Sequence, residues 1–216
     1  MSPLNRKTLS IGRAQRELRD DRVFVVAAED TYAPEQYFKQ LPLPRVKVIV
    51  IPTPANSGLS SPGHVVERLK QVFTAAKKSG DVQNGDEFWV CIDTDYHMND
   101  NHIKGTLVAL MNARQAGFEL AISNPCFELW LLLHHADVAP GTVFAGGAAV
   151  EAKLKTILDG YNKTSIRAGM FPITRVSDAI RRARALEASP DNPAGRFVRS
   201  RSTISMTPGD VAARPK

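Results

Sequence analysis

Apolar residues in this chain fall into two textures, short unbroken runs and stretches with a helical repeat, and the two alternate. Arg22 to Ala28 (RVFVVAA), Val46 to Ile51 (VKVIVI), Phe88 to Ile92 (FWVCI) and Phe118 to Ile122 (FELAI) are short and largely β-branched, aromatic or aliphatic, which predicts four strands. Between the first two, Pro34 to Leu41 predicts a short helix with Pro34 in its first turn. From Ser61 and Pro62 onward, Val65, Val66, Leu69, Val72, Phe73 and Ala76 recur at helical spacing, and Gly80 supplies the stop. Ile103, Leu107, Leu110 and Met111 mark a further helix, closed by Arg114 to Gly117. Pro125 then opens Cys126 to His134 (CFELWLLLH), so apolar that it predicts a helix buried on all sides. This alternation predicts an α/β fold, a mainly parallel four-stranded sheet flanked by helices.

Past His135 the texture changes. Ala139 to Gly147 is a loop of small residues, and two more helices are expected, over Ala148 to Leu158 and through Val176, Ala179, Ile180, Ala183 and Leu186. The organisation read from the chain is a loose polar arm over 1–21, a core over 22–138, a C-terminal helical extension packed on it over 139–190, and a basic tail over 191–216. The tail carries Pro, Ser, Arg and Gly without apolar periodicity, the composition of disorder. Pro52 to Gly63 is rich in Pro, Ser, Asn and Gly and reads as a loop.

Composition narrows the class. With 216 residues, 43% of them apolar, the chain has material for a sizeable core. No run approaches the ~18 apolar residues of a membrane span, and the polar start lacks a signal peptide's apolar stretch. A cytoplasmic protein with no membrane partner is expected. Cys91 and Cys126 lie within apolar elements, without the spacing of a disulfide framework or metal cluster, and read as reduced fillers. The net charge of +6 is uneven: residues 1–162 hold 17 Lys/Arg against 18 Asp/Glu, residues 163–216 hold 11 against 4. A basic C-terminal region attracts nucleic acid through counterion release, or simply solubilises a frayed end.

The candidate chemistry lies at strand ends, because ligands of parallel sheets collect outside the carboxyl ends of the strands. Glu29 follows the first strand, Asp93 and Asp95 follow the third, and Glu128 lies just beyond the fourth. Topology thus brings together acids nearly a hundred residues apart. Asp93 and Asp95, two apart on extended backbone, share one side and repel unless a cation neutralises them, and oxygen ligands suit magnesium or manganese. A helix cap explains one of the pair, or Glu29, equally well. Glu128, inside an apolar helix, must be paired, protonated or bound to a cation. His97 is placed to act as general base or to orient water, and Lys163 to reach a phosphate or to stay solvated. His97 and His102, five apart without cysteine companions, do not make a zinc site. His134 and His135 are expected to mark a helix C-terminus, imidazole complementing the dipole.

Ala121 to His134 (AISNPCFELWLLLH) is similar to the A-x-SNPCFELWLLLH signature of the RloB-like family of bacterial defence-associated proteins. Trp89-Val90 with Asp93-Thr94-Asp95-Tyr96-His97 resembles its W-V and D-x-D-x-H, and Tyr161-Asn162-Lys163 its Y-x-K. Glu29 and Tyr37-Phe38 match its opening segment, although Asp30 stands where the family usually has Gly and Ala33-Pro34-Glu35 replaces Thr-Glu-Pro. Glu after strand one and D-x-D after strand three also resemble the Toprim fold. These resemblances imply a Toprim-like core, Glu29, Asp93 and Asp95 as magnesium ligands in phosphodiester hydrolysis, a role as effector of an anti-phage or abortive-infection system, and an ATPase partner. The competing expectation is a non-catalytic subunit that binds nucleic acid or that ATPase. A phosphatase of the haloacid dehalogenase type fits less well, because it places its aspartates after the first strand and needs a later acidic pair.

Overall fold

The computed structural model describes residues 21–95 and 102–188. Four parallel strands, β1 (Arg22–Ala28), β2 (Val46–Ile51), β3 (Glu87–Asp93) and β4 (Glu119–Ser123), lie side by side in the order β2-β1-β3-β4. The α/β class and parallel sheet expected from the alternating pattern are what the chain forms. Each crossover carries a helix: α1 (Ala33–Lys39), α2 (Pro62–Ser79) and α3 (Ile103–Gln115). Three more follow β4, namely α4 (Glu128–Leu133), α5 (Gly147–Ile157) and α6 (Val176–Glu187), the last entered through a 3-10 turn at Ile173–Arg175.

Alternation along the strands divides the core in two. Val23, Val25 and Ala27 of β1 and Phe88, Val90 and Ile92 of β3 face Val65, Val66 and Leu69 of α2 and Ala109 and Ala113 of α3. On the other face Phe24, Val26, Ala28, Trp89 and Cys91 meet Tyr37 of α1, Trp130 to Leu133 of α4, Leu154 of α5 and Ile180 of α6. The C-terminal helices therefore share one core with the sheet. β1 and β3 are covered on both faces, which is why they read as continuous apolar runs. Gly80 ends α2 in the left-handed region, φ +72°, donating its N–H to carbonyls of the last turn. Among the described residues no helix is long and apolar enough to cross a membrane.

Two expectations need correction. The helix expected from Cys126 is regular only from Glu128, because the Pro125 carbonyl accepts from Thr94 N (2.9 Å) and Asp95 N (3.1 Å) and is committed to the end of β3. His134 does end α4, but not as a cation on the dipole. Only 1% exposed, its Nε2 is 3.1 Å from the Tyr37 hydroxyl among Trp130 and Phe171, and burial lowers its pKa to about 4. Cys91 and Cys126 are buried free thiols. The polar arm through residue 20 and the basic tail lie outside the described residues.

Candidate active site

β2 lies on one side of β1 and β3 on the other, so the strand order reverses at β1 and leaves a crevice at the carboxyl ends of β1 and β3. Glu29 follows β1 directly. Its backbone N–H donates to the Cys91 carbonyl (3.0 Å), extending the ladder, and its Oε2 accepts from Asp93 N (3.1 Å). The two acids expected to meet at this edge are thus held together by the pairing of β1 with β3.

Asp93, the last residue of β3, binds its proton well above the usual carboxylate range. Burial is the first cause, followed by the negative charges of Glu29, Glu128, Asp30 and Asp95. Glu128 opens α4 at 4% exposure. Its pKa is raised by burial and by Asp30, against a hydrogen bond from the Cys126 thiol, while its Oε1 is buried without a hydrogen-bond partner. The Tyr161 hydroxyl is likewise buried and unpartnered, and burial and Glu128 push its pKa up. Polar atoms left unpaired in a core are costly, and they collect here at one sheet edge.

Asp95 stands apart from this group. It lies beyond the strand end, exposed, and its Oδ2 accepts from Gly147 N (3.2 Å) at the start of α5. A Cβ on Gly147 would stand 3.1 Å from that oxygen and 3.3 Å from the Cys126 Sγ. The side shared by Asp93 and Asp95 on an ideal strand is lost because β3 ends at Asp93 and the chain turns onto the Pro125 carbonyl. His97 lies outside the described residues.

The cation beside the acids is Lys163, placed by α1 across more than a hundred residues. Gln36 Nε2 donates to the Lys163 carbonyl (2.8 Å), Gln36 Oε1 accepts from Ile166 N (2.7 Å), and Gln40 Nε2 donates to the Ile166 carbonyl (2.9 Å). Lys163 Nζ reaches Asp30 Oδ2 at 3.4 Å. Burial would lower its pKa, but Asp30 and Glu128 outweigh that and the net direction is upward. Asp30 also ties its own loop, Oδ1 accepting from Tyr32 N (2.6 Å) and Ala33 N (2.8 Å). The sequence shows Asp30 only as a departure from a family glycine; an Asp two residues ahead of the Tyr32 N-cap is the available signal for its role in tying the loop as an Asx turn. Arg68, also missed, donates through Nη2 to the Ala28 carbonyl (3.1 Å) and Thr53 Oγ1 (2.7 Å), fastening the loop after β2 to the end of β1.

Glu29, Asp30, Asp93 and Lys163 form the charged part of the lining of a polar cleft of about 350 Å³, and the loop after β2, with Thr31 and Tyr32, forms the uncharged part. Among the described residues no three His, Cys, Asp or Glu side chains form a ready metal cage. Magnesium does not require one, since it commonly binds through one or two carboxylates plus water and substrate phosphate. The donor chemistry fits: Asp93 is surrounded by like charge and Glu128 has an unpartnered oxygen, conditions that a hard cation relieves.

None of the curated proteins or solved structures matches the chain. Residues 24–206, covering the four strands except the first two residues of β1 and including the whole acid cluster, match the family model for RloB-like proteins. The chain belongs to the RloB-like protein family.

Proposed function

We propose that this protein is a Toprim-like, metal-dependent phosphodiester hydrolase acting on nucleic acid, the effector of an anti-phage system with an ATPase partner. The observation that carries the reading is the crowding of Glu29, Asp30 and Glu128 around Asp93, at the carboxyl edge of a parallel sheet and beside an open polar cleft. Glu29 and Asp93 are the residues to hold magnesium or manganese, and Asp95 joins them by leaving its contact with Gly147. A bound divalent cation supplies charge neutralisation at the scissile phosphate and a more acidic water. Lys163 adds a fixed positive charge in the cleft for a phosphate oxygen. Glu128, whose pKa is raised by burial, stands near the acids as a group able to exchange a proton. The role of His97, orienting the attacking water, rests on its position in sequence.

Cleavage of DNA and transfer RNA should require magnesium and fall at least about 100-fold in Asp93→Asn, as for loss of a group that orients or activates the nucleophile. Undiminished cleavage by an Asp93→Asn, Asp95→Asn double variant would overturn the assignment.

The Asp30–Lys163 pair favours a second reading, in which the ammonium supplies the neutralising charge and the protein binds nucleic acid or the ATPase without cutting. Calorimetry separates the two. Magnesium binding by the natural chain supports the hydrolase, whereas binding that emerges only in Lys163→Met supports the second reading.

A further inference from the structure

The two walls of the cleft differ in chemistry. Glu29, Asp30, Asp93 and Lys163 form the charged wall, where a phosphate and its cation belong. The second wall, built from the loop over residues 53–60, has no charged residue of its own and includes Asn56, Ser57 and Ser60. The Asn56 amide and the Ser60 hydroxyl are exposed and make no hydrogen bond, so their donors and acceptors are open to a ligand. Asn56 holds a left-handed backbone, φ 57°, a conformation found at ligand clamps more often than elsewhere. Tyr32 also lines the cleft; the residue is 38% exposed and its ring stacks on no other ring among the described residues, while its backbone N–H is pinned by Asp30.

A partly exposed aromatic on an anchored backbone, uncharged hydrogen-bonding groups and a phosphate-type wall, all lining one cleft, match the three parts of a nucleotide. A volume of about 350 Å³ is of the size that one nucleotide fills. We infer that the cleft takes a single unpaired nucleotide, its base on Tyr32 and its edge toward Asn56 and Ser60, so that the substrate is single-stranded. This rests on the nucleic-acid reading above and narrows it, because a flat duplex-binding surface would need neither the aromatic nor the cleft.

The test uses the full chain, with calcium replacing magnesium to prevent turnover, at about 0.15 M salt, where non-specific contact by basic segments is weakened. Labelled single-stranded DNA, single-stranded RNA and blunt duplex of about 12 nucleotides are titrated by anisotropy, a length within known single-strand site sizes. At least one single strand should bind about tenfold more tightly than duplex, Tyr32→Ala should lose about tenfold of that affinity, and Tyr32→Phe should keep it. Preference between the two single strands identifies the sugar. Duplex bound as tightly as both single strands, or unchanged binding in a folded Tyr32→Ala variant, overturns the proposal. Failure here is distinct from failure of the hydrolase reading: full-rate duplex cleavage by Tyr32→Ala overturns this inference alone. Tyr32-dependent single-strand binding without any cleavage overturns only the hydrolase.

Discussion

Asp93 holds its proton more tightly in the folded chain than in the unfolded one, and that difference costs stability at neutral pH. A carboxyl group with a raised folded-state pKa contributes stability below its unfolded value, near 3.9, and loses that contribution as pH rises through the folded value. Asp93→Asn should therefore melt about 2–4 °C higher than the natural chain near pH 7, the shift that about 1 kcal/mol gives in a domain of this size, and the advantage should vanish near pH 4. Magnesium should raise the melting temperature of the natural chain and not of the variant. His134 has the opposite sign. Its pKa falls from 6.5 to about 4, so its contribution is present above pH 6.5 and is lost as pH falls toward 4. Urea midpoints should drop across that interval, and His134→Gln, which can still accept from the Tyr37 hydroxyl, should flatten the drop. The sequence placed His134 at a helix end correctly, yet could not show that Tyr37, ninety-seven positions earlier, would enclose it.

The helices and strands were readable because burial imposes its period on the chain wherever an element packs against the sheet. α2 shows this, its Val65, Val66 and Leu69 recurring at the spacing that faces β1 and β3. The start of α4 was not readable, since a carbonyl claimed by Thr94 and Asp95 leaves no pattern in the side chains. Within α4, Leu131 and Leu132 are fully buried, and Leu132→Ala should cost about 2–5 kcal/mol in denaturant unfolding. Gly147, at the head of α5, offers a finer probe. A methyl group there meets the Asp95 carboxylate and Cys126, so Gly147→Ala should displace Asp95 while leaving helical content unchanged by circular dichroism. Comparison of its magnesium affinity with that of Asp95→Asn then shows whether α5 sets the position of the second aspartate.

At the scale of the molecule, the meeting of Glu29 with Asp93 could be deduced from sequence, because parallel strands send every carboxyl end to one edge. The Asp30–Lys163 pair and the turning of Asp95 toward Gly147 could not, because both depend on loop conformations that have no period. Strand order has one further consequence. β2 and β3 flank β1, so the chain leaving β2 passes the end of β1 before α2 returns it on the other side, and residues 52–61 overhang the crevice. Thr53, held by Arg68 and the Ala28 carbonyl, fixes one root of that overhang, and the N-terminus of α2 fixes the other. Between these roots the segment contributes little to the core, so Pro54 to Ser60 behaves as a replaceable cassette. Related chains are free to exchange its length and side chains, and with them the molecule they grip, while the acids beneath remain in register.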